Sequence, residues 1–218
     1  MTSTQKSPSP RIILLSEFIW IFFATPLTLA LDVSIGIKLT MVICALIIVI
    51  YRSLVGKIFR DSFVLDRPIS PNVKRRMIVI SSLLFFGGTV FVYVFDRSLL
   101  FKVVREAPWL WVGILFVYTF LSVVPQEYLY RRFFFARYGE LFSSKATLII
   151  ANVICFSFCH LFLHSPAVLI LTALGGVLFA MTYSDQQDLK WVSIEHAIYG
   201  NIIFTLGIGE MLAFPMPG

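Results

Sequence analysis

"LWVGILFVYTFLSVV", Leu110 to Val124, is fifteen residues without a charge, and "PQEYLYRRFFF", Pro125 to Phe135, follows it directly. The first stretch approaches the length of a helix that crosses a bilayer, where every backbone N–H and C=O must be satisfied within the segment. The second sets a glutamate and two arginines against the end of that helix. A carboxylate there costs free energy, so its presence points to a pairing or to a chemical task. Glu127 and Arg131 are four residues apart, share a helix face and can pair.

The rest of the chain repeats the apolar pattern. Of 218 residues, 58% are hydrophobic and 14% charged, with 22 phenylalanines, and charge this scarce excludes an ordinary soluble domain. The apolar residues fall in long blocks, without the short alternating strands of a closed barrel. The expected fold is therefore all-α, a polytopic transmembrane helix bundle of about seven spans. They run over Ile12–Leu31, Ser34–Tyr51, Met77–Phe95, Trp109–Val124, Ala146–Leu163, Ala167–Tyr183 and Trp191–Ile208. Lys38 lies inside the second, near enough to its end to snorkel. The fourth is expected to continue as helix through Arg137.

Net charge is +6, and its placement says more than its size. With seven spans, the N-terminus, the Arg52–Arg76 loop, the Arg131–Lys145 connection and the Asp185–Lys190 loop share one side. They carry fourteen of the 18 Lys and Arg. The positive-inside rule puts that side in the cytoplasm, with the N-terminus inside and the C-terminus outside a cell membrane. The bilayer is then the partner of the basic residues, and no nucleic acid is implied. The polar start "MTSTQKSPSPR" reads as disordered. The apolar run after it is too long, and carries Glu17, for a cleaved signal peptide. The Ser53–Arg76 loop reads either as a surface helix on the headgroups before Pro68 or as a plain loop. "DRSLLFKVVREAPW" reads as an interfacial segment ending at a tryptophan anchor. Cys44, Cys155 and Cys159 sit in apolar blocks and read as buried thiols, without a disulfide framework.

Few polar residues lie inside spans: Glu17, Glu127, Glu195, His160 and His196, with His164 at an edge. Glu17 has no evident partner and is expected to snorkel or to bond between helices. Glu195, near the start of its helix, reads as solvated at the headgroups and favoured by the helix dipole. Gly175, Gly176 and Ala180 read as small residues that let helices approach closely.

A lone histidine in a span is ordinarily an interhelical hydrogen bond, but His160 in "FSFCHLFLH" and His196 in "SIEHAIYGN" join Glu127 on three separate spans. Such groups face the bundle interior and mark function. A carboxylate with a neutral imidazole can activate water, and a second imidazole or an amide can stabilise an oxyanion. No cofactor is expected. The alternative is zinc on His160, His164 and His196, or with Glu127 in the set, although HExxH is absent. All six aspartates are expected in loops, which argues against an aspartyl dyad, and no serine elbow is present.

These residues also carry a family resemblance. The second half of the chain resembles the CAAX-protease and bacteriocin-processing family of intramembrane endopeptidases, which includes the Ras-converting CAAX endopeptidase. The family's EExxxR motif is approached by Gln126-Glu127-Tyr128-Leu129-Tyr130-Arg131, its FxxxH motif is matched by Phe156 to His160, and its HxxxN motif is approached by His196 to Asn201. The resemblance covers roughly Trp109 to Gly209. It implies an active-site cavity among the four C-terminal helices, with Glu127, His160 and His196 catalytic and Asn201, Gln126 and Arg131 supporting. It also implies a membrane-associated protein or peptide as substrate. Expected divisions are residues 1–107 (N-terminal spans and loop), 108–211 (protease-like domain) and 212–218 (tail).

Two departures bear on activity. Gln126 stands where the family's first glutamate is assigned to water activation, so Glu127 takes over, Glu195 substitutes, or the site is inactive. Asn201 is one residue late, a rotation of about 100° on a helix, and Gly200 holds the motif position. A catalytically silent relative that binds a peptide or partner, as in bacteriocin immunity, is therefore the second reading. A small transporter relaying protons through Glu and His is the third.

Overall fold

A computed structural model describes residues 10–59 and 68–212. Every regular element among the described residues is helical, as expected for a chain that must satisfy its backbone without water. The order is α1 Arg11–Ala30, α2 Ile35–Val55, α3 Pro71–Asp96, a short α4 Lys102–Glu106, α5 Pro108–Leu141, α6 Lys145–Phe158, α7 Pro166–Gln186, α8 Leu189–Leu206 and a final turn α9 Ile208–Met211. A 3-10 turn, Leu161–Leu163, prolongs α6. The surface-helix reading of the Ser53–Arg76 loop falls on residues 60–67, outside the described residues, as do the start before Pro10 and the tail after Leu212.

Among the described residues, six helices are long and apolar enough to cross a membrane: α1, α2, α3, α5, the α6 segment and α7. Their outer faces are apolar, with Phe86, Phe95, Leu121 and Trp109 among the most exposed side chains. Such a surface suits lipid, not water. The seventh expected span, Trp191–Ile208, forms as α8 but is not one of the six, because Lys190, Glu195, His196 and Asn201 interrupt it. It packs against α3, α5 and α7, and half of its 18 residues are buried. A helix shielded by its neighbours has less need of an apolar surface.

Two prolines shape the long helices. A proline inside a helix cannot donate its hydrogen bond, and the ladder adjusts around it. Ahead of Pro26, α1 opens into a π turn at Trp20–Ala24, and the Thr25 hydroxyl donates to the Trp20 carbonyl at 3.0 Å. Ahead of Pro125, α5 does the same at Tyr118–Val123, then again at Tyr128–Phe133. The starts of α2, α6 and α8 are capped by Ser34, by a reciprocal Ser144–Thr147 box and by Asp188. Aspartates meant for loops also end helices, Asp96 closing α3 and Asp185 lying in the last turn of α7, while Asp61 and Asp66 fall outside the described residues.

The core gathers where α1 crosses the second half of α5. Phe22 meets Phe134 at 5.0 Å between ring centroids, and Phe18 meets Tyr138 at 5.2 Å. Glu17 closes that junction. It accepts from Arg52 (2.7 Å), Arg137 (2.9 Å) and the Tyr138 hydroxyl (2.9 Å), so the bond between helices, not snorkelling, is its role. On the other side, Gly176 lets α7 approach α6, where a Cβ would lie 3.2 Å from the Phe156 ring. The three cysteines are free thiols.

Candidate active site

The geometry of α5 sets the site. The helix runs 34 residues, about 51 Å, so Glu127 is not at its end. From Glu127 the helix continues roughly 21 Å to Leu141, and α6 then returns roughly 22 Å from Lys145 to His160. The two arms of this hairpin bring Glu127 and His160 to the same height. A π turn on each side of Val124–Glu127 re-aims the side chains between them, a feature that recurs at functional sites.

Glu127 has no exposed surface. One carboxylate oxygen lies 2.8 Å from His196 Nδ1 on α8, and the other lies 3.0 Å from Arg131 Nε. The second contact is an ion pair without an aligned hydrogen bond. Arg131 is equally buried; it donates to the Asn152 side chain on α6, and Asn152 in turn donates to the Tyr130 carbonyl. The guanidinium also lies 4.8 Å from the Phe156 ring and 5.9 Å from that of Phe179. Partners on both sides are what make a buried charge tolerable.

The imidazoles meet around Phe156. Its ring stands edge-on to His160 at 5.1 Å and to His196 at 5.7 Å, while Phe179 stacks on His196 at 4.3 Å. His160 Nδ1 lies 2.9 Å from the Phe156 carbonyl, a contact that places the proton on Nδ1. His196, held at Nδ1 by a carboxylate, has the same tautomer. Neither Nε2 has a protein partner among the described residues. Thus Glu127 and His196 touch, and His160 is one aromatic ring away.

The supporting residues are placed differently. Gln126 donates to Ser122 at 2.8 Å and Asn201 to Thr119 at 3.3 Å, and both amide oxygens are buried without a partner. Gly200 has no room for a side chain, since a Cβ would collide with the Tyr118 hydroxyl. Glu195 is not at the headgroups. It is fully buried in a second cluster, accepting from Thr182 (2.5 Å) and Tyr199 (3.0 Å), with Arg76 of α3 at 3.7 Å. The reason is the central position of α8, whose first turns are covered by α3 and α7.

The residues proposed for zinc are not arranged as the sequence spacing suggests. α6 ends at Phe158, so His160 and His164 are not one helical turn apart, and His164 is exposed in a left-handed conformation (φ 51°). Among the described residues no three His, Cys, Asp or Glu side chains are gathered to hold a metal.

Residues 107–202 match the family described as Rce1-like, type II CAAX prenyl endopeptidase. This stretch is similar to that family. No curated protein and no solved structure matched the chain. The Rce1-like segment runs from the end of α4 into α8 and contains Glu127, Arg131, Asn152, Phe156, His160, His196 and Asn201. Sequence reading did not single out Asn152, Phe179 or Tyr118. Asn152 left a signal, a polar side chain in the apolar run of α6; the two aromatics left none in a chain this rich in them.

Proposed function

We propose that the protein is a CAAX-type intramembrane endopeptidase, hydrolysing a peptide bond of a membrane-associated, prenylated protein or peptide without a metal. The observation that carries this reading is the buried 2.8 Å contact of Glu127 with His196, with His160 across Phe156. Glu127 in this reading orients; it does not act as the base. It has no exposed surface and both its oxygens are engaged, whereas His196 keeps a small exposed area and a free Nε2. A carboxylate behind an imidazole fixes its tautomer and stabilises the imidazolium that forms.

The reaction follows from those roles. Water, positioned by the two Nε2 atoms, attacks the scissile carbonyl carbon and gives a proton to His196 Nε2. The tetrahedral oxyanion collapses, the C–N bond breaks, and the imidazolium returns the proton to the departing amine. Arg131, Asn152 and Phe156 hold the carboxylate and the imidazoles in place. The basic side is taken as cytoplasmic, in a cell membrane.

Gln126 favours a second reading, a silent peptide-binding relative. Comparing peptide termini across the membrane proteome of a wild-type and a His196→Ala strain tests the choice: new termini that depend on His196 support hydrolysis. Identical termini in both strains, with cleavage appearing only in a Gln126→Glu strain, support the silent reading.

A further inference from the structure

A tetrahedral oxyanion needs a donor, and the residues above supply few. Both free Nε2 atoms are acceptors in the tautomers their partners impose. One N–H of each of the Gln126 and Asn201 amides is committed, to Ser122 and to Thr119. Arg131 is sealed between Glu127, Asn152 and the rings of Phe156 and Phe179.

Tyr118 offers a hydroxyl beside His196. Tyr118 begins the first π turn of α5, and its ring lies across α8, edge-on to His196 at 6.0 Å and to Phe204 at 4.9 Å. The hydroxyl sits over Gly200, one helical turn from His196, in space that any side chain at 200 would need. The lack of a side chain at Gly200 and the placement of the phenol are thus one arrangement. We infer that Tyr118 is a catalytic residue whose hydroxyl donates to the oxyanion formed as water adds to the scissile carbonyl. The donor gives only a hydrogen bond; the transferred proton moves from water to His196 and on to the amine. This inference rests on the hydrolytic reading above.

The probe is a synthetic peptide ending in a farnesylated Cys-a-a-X sequence, with the protein purified full-length in detergent. Tyr118→Phe keeps the ring against His196 and removes only the hydroxyl. Loss of one such donor lowers kcat by about 10²–10³-fold, and KM and Tm should stay close to wild type. Gly200→Ala, which displaces the same ring, should lower kcat in parallel. As a readout that a packing role would not move, the full-length protein with 3-fluorotyrosine at 118, which keeps the ring and a more acidic hydroxyl, should retain turnover at neutral pH and lose it at lower alkaline pH than the wild type. Wild-type turnover that persists within about threefold in Tyr118→Phe overturns the inference alone, as does a loss explained by raised KM or lowered Tm. No wild-type turnover of any prenylated peptide overturns the hydrolytic reading and this inference with it.

Discussion

Glu127 decides what the site can do. Its carboxylate faces an imidazole and a guanidinium and has no exposed surface, so in the proposed reaction it stands behind the base. Replacing an orienting carboxylate by its amide allows the wrong imidazole tautomer, and Glu127→Gln should lower kcat by roughly 10²–10⁴-fold. It also leaves Arg131 without its counter-charge, so Tm should fall as well. Arg131→Ala removes the other half of a buried pair and should destabilise by about 3–5 kcal/mol, measured as loss of Tm and of yield. His164→Ala should change neither turnover nor metal content, because His164 is exposed and makes no hydrogen bond or ion pair with Glu127 or His196 among the described residues. Near one zinc per chain that disappears in that variant would overturn the metal-free account. At this scale the sequence was informative about residue types and silent about roles. Glu127, His160 and His196 stood out because charge and imidazole are rare in these blocks. That Glu127 faces no water was illegible, because exposure depends on what α6, α7 and α8 place around it.

The helices explain how the residues meet. The arginines after Glu127 read as a membrane boundary, yet Arg131 is interior and α5 continues to Leu141. Counting Arg131 as a loop charge follows from reading a buried ion pair as a surface one, and sequence cannot distinguish them. The hairpin of α5 and α6 brings the chain back from Leu141 to set His160 near the level of Glu127. Pro125 is the local device: with the π turns on either side, it sets which face Glu127 presents. Pro125→Ala restores a backbone donor and permits a regular α-helix, in which losing the extra residue of one π turn rotates the side chains beyond it by about 100°. The expected result is a Tm equal to or above wild type with turnover reduced at least tenfold. A variant with full activity would show that the π turns are incidental.

In the whole molecule, the membrane class was legible from composition, and so were the positions of all seven long helices. The part that was not legible is which helix is central. α8 carries the polar residues because its neighbours cover it, a fact of packing that hydropathy alone cannot supply. The first two helices are tied on by Glu17, which links α1 to Arg52 of α2 and to Arg137 and Tyr138 of α5. Both arginines are nearly a third exposed, so solvent screens the link. Glu17→Gln should cost about 1 kcal/mol, read as a lowered Tm with kcat per folded molecule unchanged. The most direct test of the central claim is cleavage of a farnesylated Cys-a-a-X peptide in ¹⁸O-labelled water by the wild-type protein and by His196→Ala. The account predicts a product whose new carboxylate carries one ¹⁸O in the wild type, and none from His196→Ala. Equal labelled product from both proteins would contradict it.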